Sequence, residues 1–297
     1  MTKKSGARGW FIAGFLAPAF SLYFLFVIWP LIQAFQISLY QWRGTSNRIQ
    51  WRGAGNYTEL AADPVVSEAI GNNLYLLGVG GVVIFALALL FSHAVLADTR
   101  LSRAFENIAL FPQVASTVVV ALLWQFMFHP QFGPVPLIQK AIGLGQFESG
   151  WLATPSAALP AVTVAFVWFA TGFYILLFTA GLRQIPGEVN EAATLDGSFG
   201  WSRFVRITWP LLWSVRRTAV TYLVITVMNT FALVYLMTKG APDRRTEIML
   251  TYLYELAFTN SEWGSAAALA VINFVLVMAL ALAVRALFRK DPTAARR

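Results

Sequence analysis

The chain has 297 residues, 58% of them hydrophobic and only 12% charged, with a mean hydropathy of +0.62 and a formal charge of +8. Soluble domains hold roughly 45–50% apolar residues, so this composition points to a membrane protein, and the lack of cysteine excludes disulfides, thiolate metal sites and cysteine nucleophiles. The positive charge does not imply nucleic acid, because no segment outside the apolar runs is long enough to fold into a basic surface with stacking aromatics.

A helix crosses a bilayer with about 20 apolar residues, and six uncharged runs reach that length. Open sheets are excluded in lipid and barrel strands alternate over about ten residues, so runs this long read as helices. The expected fold is an all-α integral membrane protein with six transmembrane helices in a single domain over residues 1–297. The first run extends from Trp10 to Trp29 and on past Pro30 to Leu39. Lys3, Lys4 and Arg8 before it and Ala17-Pro18-Ala19 inside it mimic a secretory signal, but the apolar residues continue well past Ala19, which favours an uncleaved span. A polar segment from Gln41 to Gly71 follows, with Asn56-Tyr57 and Asp63-Pro64 as turn material, and is expected to form a cap carrying short helices. The second run is Leu74 to Ala97 and the third Ile108 to Phe128. Next comes a proline- and glycine-rich loop, His129 to Pro155, with an apolar-periodic piece from Leu137 to Ile142. The fourth run, Ala157 to Ala180, leads into a polar insert at 183–217. The fifth is Thr218 to Met237; after a loop from Lys239 to Gly264, with a helix-like stretch at Ile248 to Phe258, the sixth covers Ala266 to Val284.

Orientation follows from the basic residues. Segments 1–9, 98–106, 183–217 and 285–297 carry 15 of the 22 Lys and Arg in fewer residues than the opposite loops, so the positive-inside rule puts both termini and the polar insert on the cytoplasmic side.

The insert has helical punctuation of its own. Pro186 suits a first helical turn, Glu188 and Glu191 fall where a helix N-terminus favours negative charge, and Asp196-Gly197 supplies a stop in which glycine takes the left-handed conformation. A second short helix fits Gly200 to Ile207, with Pro210 marking the return toward the membrane. Ala192, Ala193 and Leu195 give the first helix a small, close-packing face edged by acids. Such a surface suits docking into a partner's groove. The alternative, a helix pair lying on lipid headgroups, sits poorly with three acids at 188, 191 and 196.

Glu191-Ala192-Ala193, Asp196-Gly197, Phe204, Ile207 and Pro210 together resemble the signature loop of the permease subunits of ATP-binding-cassette importers. The resemblance runs nearly the full length and is to the carbohydrate-uptake branch, the maltose and glycerol-phosphate permease type. Pro18, Phe26, Pro30 and Ser38 fit the first span, Trp151-Leu152 and Trp168 the approach to and body of the fourth, and Gly181-Leu182 with Ile185-Pro186 the lead into the loop. Thr238, Gly240, Pro242, Thr246, Tyr254 and Ala257-Phe258 follow it after the fifth. Trp209 departs where leucine is usual, Ala241 where a second glycine is common, and Ala232 where an aspartate often stands. The resemblance implies that the loop inserts into a separate ATPase subunit, with Glu191 engaging it and Gly197 as the turn. It further implies a second permease subunit, an ATPase dimer that binds ATP and Mg, an external solute-binding protein, and no cofactor on this chain. In agreement, no lysine here follows a glycine, so the phosphate-cradling Gly-Lys-Ser/Thr is absent.

Within the runs there are no charged residues apart from edge groups such as Glu106 and Arg285. Ion-coupled transport therefore lacks its usual buried ionisable groups, and His93 without a carboxylate reads as hydrogen-bonded packing. Gln125 and Asn273 read as interhelical polar contacts. Thr226, Asn229 and Thr230, at spacings of three and four, share one face of the fifth span, and Phe166, Trp168, Phe169 and Phe173 supply rings on the fourth. Amides and hydroxyls beside rings suit a sugar, although the same residues also serve as helix glue and core. By resemblance, sugar contacts lie on the helices flanking the loop. The absence of a cation along these helices favours a neutral sugar over a phosphate ester. A facilitator acting without an ATPase is the alternative; a membrane enzyme lacks a nucleophile, metal cluster or paired carboxylates.

Overall fold

The computed structural model describes residues 4–44, 49–96, 99–143, 145, 147 and 149–290; Lys3 and the basic tail at 291–297, which enter the charge count, lie outside them. The described residues are mostly helical. A first helix, α1, runs from residue 4 to 37 through a π turn at Phe24–Ile28. A two-stranded antiparallel hairpin follows, β1 (Tyr40–Trp42) and β2 (Ile49–Trp51), with Gln41 opposite Gln50. Helices α2 (Gly55–Ala62), α3 (Pro64–Val95), α4 (Arg100–Val114), α5 (Thr117–Met127), α6 (Pro134–Ala141) and α7 (Pro155–Arg183) come next. Then come α8 (Gly187–Leu195), α9 (Gly200–Leu211), α10 (Trp213–Met228), α11 (Ala232–Thr238), α12 (249–259) and α13 (Trp263–Leu287).

The chain forms two compact units, one of Met1–Asp63 with Leu253–Phe274, the other of Pro64–Tyr252 with Val275–Arg297. In the first, the cap expected to carry short helices also contains the short β-hairpin, while the described residues as a whole stay mostly helical. Trp42, Ile49 and Trp51 are β-formers, and Tyr40 and Trp51 meet edge-on at 5.0 Å. Asn56, expected in a turn, is instead buried inside α2, where its Nδ2 donates to the carbonyls of Ser38 and Tyr40 at 2.8 and 2.9 Å. It thereby satisfies backbone groups left over where α1 ends and β1 begins. No residue of α1 between Phe11 and Ile37 is fully buried, although Phe35 meets Phe274 edge-on at 6.1 Å; a helix so apolar and so exposed belongs in lipid or against another chain.

The second unit is built around α7, the most buried of the long helices. It packs along α3 and α4, and glycines bring the helices close: Gly172 lies against the α4 backbone at Ala109, and Gly181 against Leu212 and Val215. Small residues at such crossings are the membrane solution to tight association. Phe85 adds edge-on contacts to Tyr174 and Phe178 at 5.3 and 5.8 Å.

Among the described residues four helices are long and apolar enough to span a bilayer, or up to six if each bent pair counts as one. Two of the expected apolar runs, the third and the fifth, are broken. The third bends by 112° between α4 and α5: Ala115 and Ser116 are extended, and the Ser116 hydroxyl accepts from Val118 N as an N-cap. The fifth stops at Met228 and resumes at Ala232. Asn229 Nδ2 turns back to Ile225 O and the Thr230 hydroxyl to Thr226 O, both at 2.8 Å. Polar side chains that satisfy the end of a helix locally compete with its continuation. Gln125 reaches across from α5 to Leu236 O at 2.6 Å, an interhelical contact of the kind worth about 0.6 kcal/mol.

A Cβ at Gly172 would collide with the Ala109 carbonyl. Gly172→Leu is expected to destabilise the second unit by about 1–3 kcal/mol, read as a lower unfolding temperature in detergent; an unchanged temperature would show that α4 and α7 are not packed this closely.

Candidate functional site

The polar insert forms a compact knuckle. After α7 the chain tightens through Gln184 N to Gly181 O and Ile185 N to Leu182 O, each 3.2 Å. Pro186 is extended and serves as N-cap of α8, which carries Glu188 in its first turn. At the other end Ser198 N donates to Ala193 O at 2.8 Å and Gly197 N to Thr194 O at 3.1 Å, with Gly197 at φ +71°. This is a Schellman ending, in which the left-handed residue lets two late carbonyls find donors. The stop expected at Asp196-Gly197 is the one observed, whereas Pro186, expected in the first helical turn, stands one residue before it as the N-cap.

The second helix differs from expectation at its far end. It does not stop near Ile207 or turn at Pro210 but runs to Leu211, and the 73° bend to α10 follows at Leu212. A π turn at Phe204–Thr208, closed by Trp209 N to Phe204 O, immediately precedes Pro210. The wider turn accommodates a ring that has no N–H to give and would crowd the preceding turn. Pro30 stands in the same relation to the π turn of α1. Trp209 also has a local role, as the Arg216 guanidinium lies 4.2 Å from its ring centre.

The knuckle's surface is mixed. Glu188, Glu191 and Asp196 are exposed, and among the described residues none forms an ion pair. The expected small face divides, because Ala193 is buried against the protein while Ala192 is exposed and Leu195 is 89% exposed. Ile207 and Pro210 are half-buried. Sequence reasoning missed Phe199 and Trp201, 58% and 77% exposed; aromatic residues in a polar insert outside the apolar runs were the available signal. Trp201 stacks on Phe204 at 5.3 Å, and Phe204 meets His93 at 5.8 Å. His93 keeps Nδ1 on its own helix, 2.9 Å from Leu89 O.

The proposed pathway residues separate. Phe166 is buried in the core, Phe169 packs against that core, and Trp168 faces Trp124 of α5 at 5.9 Å. Only Phe173 reaches α10, where it meets Tyr222 at 4.5 Å; Tyr222, which the sequence did not single out, stands one turn before half-buried Thr226. Asn229 and Thr230 lie beyond the end of α10, so the shared helical face drawn for Thr226, Asn229 and Thr230 is replaced by a helix break. Along α10, a groove of about 690 Å³ between α10 and α13 is lined by Thr221, Tyr222, Ile225 and Met278, with Arg217 and Arg285 at one end. Two cations, Arg217 and Arg285, therefore border this groove.

A family profile described as "Binding-protein-dependent transport system inner membrane component" matches residues 84–290. The chain is 34% identical to the probable ABC transporter permease protein YurN of Bacillus subtilis, over 90% of this chain and 92% of that one. It is 31% identical to the lactose transport system permease protein LacF of Rhizobium radiobacter, over 93% and 91%. A crystal structure of a bacterial alginate ABC transporter in complex with an alginate pentasaccharide-bound periplasmic protein contains a chain of like fold, with a TM-score of 0.82 at 21% identity, covering 97% of both chains.

A β-branched residue is strained at the φ of Gly197 by about 1–3 kcal/mol, whereas asparagine tolerates it. Gly197→Val is expected to raise amide hydrogen exchange across 187–198 several-fold more than Gly197→Asn does; equal effects would contradict the Schellman ending.

Proposed function

Because this chain belongs to the family of binding-protein-dependent transport system inner membrane components, we propose that it is the permease subunit of an ATP-driven sugar importer. It forms half of the solute pathway and takes its motion from a separate ATPase subunit. The observation that carries this reading is the knuckle: exposed Leu195, Phe199 and Trp201 beside exposed Glu188, Glu191 and Asp196, held by the Schellman turn at Gly197. Apolar anchors rimmed by charge are the anatomy of a docking surface. A chain without a Gly-Lys phosphate loop needs hydrolysis supplied from outside, so ATP and Mg belong to the ATPase.

In this reading α4 and α5 together form the third of six spans and α10 with α11 the fifth, α9 staying with the knuckle, and the positive-inside bias puts the knuckle and both termini in the cytoplasm of a prokaryotic inner membrane. The exposed α1 supports a second permease subunit. The alginate transporter's complex with a periplasmic protein supports an external solute-binding partner, and the lactose permease supports a sugar cargo. Phe173, Tyr222 and Thr226 are the preferred contacts along the pathway, with Asn229 and Thr230 at the break; Phe166, Trp168 and Phe169 shape the helix behind them. Arg217 and Arg285 leave room for an acidic sugar as well as a neutral one.

Glu191→Arg and Leu195→Glu are each expected to reduce ATPase co-purification at least about tenfold, equivalent to about 1.4 kcal/mol, and to reduce sugar uptake in step, with the amount of inserted protein unchanged. Normal uptake in both variants would overturn the proposal.

A further inference from the structure

Asn73, on α3, uses one buried carboxamide for two distant segments. Its Nδ2 donates to Val227 O at 3.2 Å, in the last turn of α10, and its Oδ1 accepts from Met249 N at 3.0 Å, at the start of α12. These partners lie 154 and 176 residues away in sequence. The Met249 N–H is one that a helix start leaves without an intrahelical partner, and the Val227 carbonyl, which also accepts from Thr230 N at 3.1 Å, is where the chain leaves α10 for the break. The amide's orientation is fixed by these two partners, since a carbonyl can only accept and an N–H can only donate. Next to it, Asn72 Nδ2 donates to Glu247 O at 2.8 Å.

The loop so attached is stiff. Glu247 is 2% exposed, its carboxylate paired with the Arg244 guanidinium at 3.2 Å and accepting from the Thr251 hydroxyl. Thr246 shares a 2.7 Å hydroxyl contact with Thr238 and donates to Ala241 O at 2.9 Å. Gly240, at φ +83°, lies so close to the Glu247 carboxylate that a Cβ would collide with it. A rigid loop and a helix break therefore hang from the same side chain.

We propose that Asn73 is a positioning residue for transport, joining the break at 229–231 and the loop at 239–248 into one moving unit. The proposal rests on the permease reading, under which that loop faces the external binding protein and the break lines the pathway. A displacement of the loop then reaches the break through Asn73. Asn72 holds the loop alone.

The test uses the full chain in phospholipid nanodiscs. Asn73→Ala is expected to raise hydrogen exchange in both 225–231 and 247–252, roughly fivefold or more for a lost buried hydrogen bond, while Asn72→Ala raises only the second. A response of one segment or neither to Asn73→Ala, or of both to Asn72→Ala, overturns the proposal. Asn73→Ser, too short to reach both partners, should repeat the Asn73→Ala pattern should the alanine variant fail to insert. Should neither insert, the unsubstituted chain decides: a single unit gives the Thr230 and Met249 amides the same protection, and a difference beyond about tenfold overturns it.

In the complex assembled with ATPase and binding protein, Asn73→Ala should keep basal ATP hydrolysis and lose its stimulation by the binding protein. A proportional fall in both would reveal a merely structural role and overturn the transport claim. If no ATPase accompanies the unsubstituted chain, the permease reading and the transport role fall together, while the exchange pattern still decides whether the two segments move as one.

Discussion

In a bilayer every backbone N–H and C=O must find a partner within the protein, since no water is available to replace it. Most of this chain meets that demand with long helices. Where helices break, nearby polar side chains take over: Ser116 at the start of α5, Asn229 and Thr230 at the end of α10, Gln125 at the end of α11, and Asn73 between α10 and α12. Irregular backbone at membrane depth is tolerated only where it is so covered or lines a cavity, and broken helices are how transporters build sites near the midplane. The break at 229–231 and the groove beside α10 are in keeping with that role.

The same economy shapes the path of force. α7 is packed through glycine contacts to α4 and to the start of α10, and the knuckle of α8 and α9 is the loop between α7 and α10. Under the proposed function, motion imposed on the knuckle passes into these close-packed helices, because interiors at this density rearrange as units. The π turn before Pro210 lets α9 run unbroken to its bend with α10, and Arg216 over Trp209 ties that corner together.

Much of this was legible in the sequence, and the exceptions have physical causes. Length and apolarity located the long helices, and proline, acid and glycine placed α8 to within a residue, because those signals are local. The breaks at Ser116 and Asn229 were hidden: one serine or asparagine scarcely alters the hydropathy of a run, yet it caps a helix. The β-hairpin escaped for a similar reason, since two three-residue strands leave little period to read. Candidate pathway residues fared least well. Helical spacing placed Phe166 beside Phe173 in kind, but only packing distinguishes a core ring from one that meets Tyr222. The role of Asn73 was invisible because its partners are more than 150 residues away.

The central claim is that the knuckle protrudes into the cytoplasm and is gripped there by an ATPase. The chain's lack of cysteine makes a direct measurement available, with Leu195→Cys labelled by a membrane-impermeant maleimide in oriented vesicles. Labelling of inside-out vesicles alone, shielded when the ATPase is bound, is the predicted result; labelling of right-side-out vesicles would contradict the account.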